Sequence, residues 1–198
     1  MDVSMKYGSS NSKYCYPGTD ILINKLDIKD ANLLKEAESL YSAQRLLELA
    51  VKPLTGNFDL QHLQQIHHHI FQDIFPFAGL IRDENISKGS TPFAQSQYIV
   101  PFATDLFNKL KSENYLESTS KDVFSNRAAY YMSEINAIHP FREGNGRATR
   151  EFIRTLAIHC NFELNWDAMD IKELLEASIE SIKDHTHLTD CIKRCTTS

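Results

Sequence analysis

The chain has 198 residues, enough for one domain, or one domain with a short arm, and enough to bury a real core. Its composition is 42% hydrophobic and 24% charged, which is ordinary for a soluble protein, and its net charge is −5. That balance argues against a nucleic-acid binder, which carries a basic excess or stripe, and no segment approaches the roughly 18 unbroken apolar residues of a membrane span. The start, Met1-Asp2-Val3-Ser4-Met5-Lys6, lacks the basic and apolar stretches of a secretion signal, and Cys15, Cys160, Cys191 and Cys195 form no Cys-x-x-Cys pair. Cys191 and Cys195 lie one helical turn apart and read as reduced thiols, so the expected compartment is the cytoplasm.

Residues 1 to 25 read as an N-terminal arm, polar and turn-rich through Tyr7-Gly8-Ser9-Ser10-Asn11 and Tyr16-Pro17-Gly18-Thr19, and residues 26 to 198 as the domain proper. From Asp30 to Val51 the apolar residues recur at helical spacing, and a second helix is expected from Asp59 with Pro76 ending it. Residues 79 to 99 change character. Leu80 to Ile86 can be extended, Ser87-Lys88-Gly89-Ser90 is turn-like, and Thr91 to Ile99 can return, which together predict a β-hairpin. Helical spacing resumes over Phe102 to Leu116, Asp122 to Ile138, Asn145 to Cys160, Asp170 to Asp184 and, briefly, Leu188 to Arg194. The expected class is all-α with one short hairpin. His62, His67, His68 and His69 read as a helix-surface cluster rather than a metal site, because three consecutive helical residues splay about 100° apart.

Between the fourth and fifth expected helices lies the run His139-Pro140-Phe141-Arg142-Glu143-Gly144-Asn145-Gly146-Arg147-Ala148-Thr149-Arg150. Apolar faces on both flanking helices clamp it at either end. A helix that begins at Gly144-Asn145-Gly146 points unpaired N–H groups and the positive end of its dipole at whatever lies in front, a natural phosphate site. Arg147 and Arg150, three apart, project from one side of that first turn and could grip successive phosphates. Glu143 offers a hard oxygen to Mg²⁺, and His139 can accept a proton near neutral pH. Each feature alone is weak, since most Gly-x-Gly turns are only turns. Together they describe a loop that binds a nucleoside triphosphate and transfers part of it.

The run resembles the defining loop of the Fic family, His-Pro-Phe-x-(Asp/Glu)-Gly-Asn-Gly-Arg-x-x-Arg, at every fixed position. Ile74-Phe75-Pro76-Phe77-Ala78-Gly79 and Lys88-Gly89-Ser90-Thr91-Pro92-Phe93-Ala94 look like segments of the compact bacterial members called cell filamentation proteins. The resemblance implies an all-α Fic domain with a hairpin flap at about 79–99 and an active-site loop at 139–147. It implies transfer of AMP from ATP to a Ser, Thr or Tyr hydroxyl of a target protein. His139 would be the base and Glu143 the Mg²⁺ ligand. Gly144, Asn145 and Gly146 would cradle the phosphates, with Arg147 at the β- and Arg150 at the γ-phosphate. Lys88, Gly89, Ser90, Thr91, Pro92, Phe93 and Ala94 would dock the target by strand addition. No (Ser/Thr)-x-x-x-Glu-(Gly/Asn) inhibitory sequence occurs in this chain, which suggests restraint by a separate small antitoxin whose glutamate reaches Arg150. Type II topoisomerases such as gyrase are the first target class that the resemblance brings forward. Two alternatives remain open at this level: a kinase-like transfer on the same fold, against which Gly146 speaks, and a nucleotide-binding module without turnover, against which His139 and Glu143 speak.

Overall fold

A computed structural model describes residues 12–89 and 91–197. Seven α-helices account for most of those residues: α1 (Ala31–Val51), α2 (Leu60–Phe71), α3 (Ile99–Ser112), α4 (Lys121–Ile138), α5 (Asn145–His159), α6 (Ile171–Glu180) and α7 (Thr186–Cys195). Two small antiparallel ladders accompany them, β1 (Ser87–Lys88) with β2 (Thr91–Pro92) and β3 (Glu163–Leu164) with β4 (Thr196–Thr197). The all-α reading with a short hairpin therefore stands, and the second ladder is an addition to it. The turn residue Ser90 and the first part of the arm, including Tyr7 to Asn11, lie outside the described residues.

Several helix starts follow from side-chain capping. Asp30 accepts the Leu33 N–H at 2.8 Å, and Asp59 accepts the His62 N–H at 2.8 Å. Asp170 accepts the Lys172 N–H at 2.8 Å, and each bond satisfies a donor that the first helical turn leaves unpaired. α5 runs through the centre. Ala148, Phe152, Ile153, Leu156 and Ala157 have no exposed surface, and α2 and α4 pack against them. α7 closes the far side of α4 through Leu188, Cys191, Ile192 and Cys195, and its two cysteines are free thiols as expected.

Helix ends shift by a few residues throughout, and two boundaries depart furthest from expectation. α2 stops at Phe71, five residues before Pro76, because the Phe71 carbonyl takes the N–H of both Ile74 and Phe75 in a closing turn. Ile74 and Phe75 then enter the core, and the Ile74 carbonyl accepts the N–H of Lys25 from the arm. The hairpin is also far shorter than the expected strands, and Leu80 to Ile86 is irregular. A side chain rather than a longer ladder ties this stretch to its neighbours. The buried Arg82 guanidinium donates to the carbonyls of Glu84 and Ala94, each at 2.6 Å, and of His139 at 2.8 Å. No helix among the described residues is long and apolar enough to cross a membrane.

Candidate active site

The run from His139 to Arg150 joins α4 to α5, and each element around it holds one part. His139 ends α4 in the left-handed region, φ 49° and ψ 63°, a conformation that costs a non-glycine residue about 1–2 kcal/mol. Three groups hold it there. Its N–H donates to Ile135 at 2.9 Å, its carbonyl accepts from Arg82, and its ring stacks on Phe93 of the flap at 3.7 Å. Nδ1 lies 3.2 Å from the Asn136 carbonyl. A carbonyl only accepts, so Nδ1 carries the proton and Nε2 of the neutral ring keeps its lone pair. Burial pulls the imidazole pKa from 6.5 down to about 4, helped by the Arg82 charge and opposed by the Asn136 bond. His139 is therefore a neutral imidazole near pH 7.

The turn itself is built around Asn145. Its side-chain oxygen accepts the Phe141 N–H at 2.9 Å and its amide donates to the Phe141 carbonyl at 2.8 Å. The Asn145 side chain is thus committed to folding the loop, and the group left to meet a ligand is its backbone N–H at the first helical position. Gly144 has φ 78°, and a Cβ there would fall 2.2 Å from the Phe71 ring, so both conformation and space demand glycine. The Glu143 side chain is 7% exposed and accepts the Gly144 N–H at 3.0 Å.

The two arginines are not equivalent. Arg147 lies over the Phe71 ring at 4.7 Å, donates to Ser42 at 2.9 Å and pairs with Glu38, both residues reaching across from α1. Arg150 has no side-chain partner among the described residues; burial and the neighbouring Arg147 charge lower its pKa. An unanswered, desolvated cation at a helix N-terminus calls for an anion. It lines a cleft of about 1210 Å³ between α1 and α5, with Leu46, Leu47 and Ala50 on one wall and Trp166 and Met169 on the other. Trp166 is half-buried and donates Nε1–H to the Arg150 carbonyl at 3.2 Å.

The flap meets the loop beside His139. β1 and β2 pair Ser87 with Pro92 and Lys88 with Thr91, Gly89 turns with φ 59°, and the Ala94 N–H donates to Ala137 at 3.2 Å. Lys88, Gly89 and Pro92 are exposed, whereas Phe93 and Ala94 turn inward. The histidine cluster is corrected. His62 is 1% and His67 0% exposed, so only His68 and His69 reach the surface. They bind different partners, His68 the Ala78 carbonyl and His69 the Glu48 carboxylate.

Sequence reasoning did not single out Glu38, Ser42 or Arg82, and it placed His67 in a surface cluster. For His67 a signal existed, since it shares the apolar face of Leu63, Ile66, Ile70 and Phe71. For Glu38 none did, because it sits among polar positions of α1.

Comparison with known proteins agrees with this geometry. The Fic/DOC family profile matches residues 57–157. The chain is 39% identical over 189 residues to the protein adenylyltransferase VbhT of Bartonella schoenbuchensis, an alignment that takes in 96% of this chain but spans only 40% of that longer protein. It is 39% identical over 168 residues to the probable protein adenylyltransferase Fic of Escherichia coli K12, covering 85% of this chain and 83% of that one. Among solved structures, the BepC effector of Bartonella tribocorum with bound AMPPNP superposes with a TM-score of 0.84 at 27% identity, over 93% of this chain and 96% of that one. The N-terminal Fic domain of a Bartonella quintana effector with bound ADP gives 0.86 at 26%, over 93% and 94%. With its loop, its fold and most of its length in common with these proteins, the chain belongs to the Fic/DOC family.

Proposed function

We propose that this chain is a protein adenylyltransferase that moves AMP from ATP to a hydroxyl of a target protein. The observation that carries the proposal is the pairing, on one short loop, of a neutral imidazole with its lone pair on Nε2 and a half-buried guanidinium with no side-chain anion among the described residues. The first group suits proton removal from an alcohol and the second suits a terminal phosphate. The names of the curated relatives, protein adenylyltransferases at 39% identity, and the nucleotides bound in the related Fic domains point the same way.

In this reading His139 Nε2 takes the proton of the incoming Ser, Thr or Tyr hydroxyl as its oxygen attacks the α-phosphorus. The bond from that phosphorus to the bridging oxygen breaks, and pyrophosphate leaves. Arg150 holds the γ-phosphate. Arg147, already committed to Glu38 and Ser42, shapes the β-phosphate side from one edge. Backbone N–H groups at the start of α5, from Asn145 and Gly146, face the phosphates. Glu143 fits Mg²⁺, since its carboxylate is a hard oxygen donor set beside that helix start. When bound, the ion would neutralise charge on the departing pyrophosphate. The work of the chain's own residues is positioning and charge stabilisation, as in phosphoryl transfer generally.

The exposed strands at Lys88 and Pro92, with Gly89, Ser90 and Thr91 between them and Phe93 and Ala94 behind, would align the target segment by adding a strand, leaving residues 1–25 as an arm outside the transfer chemistry. A type II topoisomerase is the first target to try, in the cytoplasm. Restraint would come from a small antitoxin lying in the apolar cleft between α1 and α5, with a glutamate on Arg150; Leu46, Leu47 and Ala50 supply the apolar wall for such a helix. The test is incubation of the purified protein with Mg-ATP and a target lysate, followed by mass spectrometry. A hydroxyl side chain bearing AMP in the wild-type sample and absent with His139→Ala is expected. No AMP adduct on any protein, the enzyme included, rejects the reading.

A further inference from the structure

We infer that His67 is a positioning residue that sets the Glu143–Gly144 peptide for nucleotide binding. This rests on the proposed function for its consequence, although not for its geometry. His67 lies on α2 with no exposed surface, 76 residues from the loop it touches. The Gly79 N–H donates to Nδ1 at 2.8 Å, and a backbone amide can only donate. Nδ1 therefore carries a lone pair, the proton sits on Nε2, and Nε2–H donates to the Glu143 carbonyl at 2.8 Å. One tautomer satisfies both bonds. The ring also stacks face to face on Phe141 at 3.8 Å and 21°.

Packing alone does not account for an imidazole here. The surrounding rings are Phe71 and Phe141, and a phenylalanine would fill the same slot without a buried polar group to satisfy. What histidine adds is a rigid bridge with one acceptor and one donor on opposite sides. On one side it fixes Gly79, whose carbonyl also accepts from Gln64 at 2.8 Å, at the start of the segment that carries Arg82 and the flap. On the other it fixes the carbonyl of the residue whose carboxylate accepts from Gly144. The orientation of the Glu143–Gly144 peptide decides where the carboxylate and the first N–H groups of α5 point. His67 therefore orients the group that meets the phosphates without touching them, a role in which partner loss costs about 10- to 100-fold in affinity or activity.

The test compares His67→Phe, which keeps the stack and removes both hydrogen bonds, with His67→Gln, whose amide can still donate to Glu143. Three readouts are taken on the full chain: hydrogen exchange of the amides at 141–147 without ligand, affinity for Mg-AMPPNP by calorimetry, and the pH profile of AMP transfer. Expected for His67→Phe are faster exchange confined to the loop, about 10- to 100-fold weaker nucleotide binding and an unchanged pH profile, because His139 is untouched; His67→Gln recovers part of the affinity. Wild-type loop exchange and affinity in His67→Phe would overturn the inference, as would equal losses in both variants with exchange raised throughout α2 and α5. If wild-type protein binds nucleotide but transfers nothing, the first two readouts still decide the role of His67, and only the adenylyl reading fails.

Discussion

The loop at 139–147 and the flap at 87–92 face each other across His139, yet they are built in opposite ways. The loop is fastened on every side: Asn145 ties Phe141, His67 holds Glu143, Phe71 leaves no room at Gly144, and Glu38 with Ser42 hold Arg147. The flap is a two-pair ladder whose attachment passes through Arg82, Phe93 and Ala94. The difference teaches where this chain needs precision. Chemistry on a phosphate requires fixed atoms, so the loop is overdetermined. The proposed docking of a target segment would require main-chain edges and tolerance of sequence, which a lightly held flap suits.

The largest expected effect breaks the fixed half. His139→Ala should lower transfer by about 10²- to 10⁴-fold while nucleotide affinity measured by calorimetry stays near wild type. Gly144→Ala and Asn145→Ala should cost stability as well as activity. The first forces a Cβ into the Phe71 ring, and the second leaves two buried Phe141 groups unpaired at about 1–3 kcal/mol each, visible as a drop in Tm. Arg150→Ala should weaken nucleotide binding by about 10- to 100-fold with little change in Tm, since that cation has no side-chain partner to lose among the described residues. Arg147→Ala should reverse the balance and lower Tm, because it strands Glu38 in a half-buried position. On the tolerant half, Thr91→Pro should raise KM for the target while leaving nucleotide affinity alone, because it removes the main-chain donor that pairs β2 with Lys88 in the flap's own two-pair ladder.

Proton loading gives a smaller and sharper test. An ordinary histidine is half protonated at pH 6.5, but burial holds His139 near 4. Its neutral form, the one able to accept a proton, therefore persists from pH 7 down to about 5. The His139-dependent limb of kcat/KM should fall only as pH approaches about 4, and a limb near 6.5 would mean that the ring is solvated in the working enzyme.

Much of the fastened half was legible in the sequence, and little of the reason for its rigidity was. The loop residues are contiguous, and Asp30, Asp59 and Asp170 mark helix starts by local chemistry, so a linear reading finds them. The partners that hold the loop lie far away in sequence. Glu38 sits 109 residues from Arg147 and His67 76 residues from Glu143, and no local pattern announces either contact. The flap was misjudged for a related reason. Leu80 to Ile86 has strand-like composition, but Arg82 answers the carbonyls that a longer ladder would have used. α2 ended early in a closing turn on the Phe71 carbonyl that sends Ile74 and Phe75 into the core.

The most direct test of the central claim follows the phosphorus. Wild-type protein and His139→Ala are incubated in parallel with Mg-ATP labelled either at the α- or at the γ-phosphate, and label on protein is counted. The account predicts α-label on a hydroxyl side chain in the wild type alone, with the γ-label released as pyrophosphate. γ-Label on protein, or equal α-labelling by His139→Ala, would contradict it.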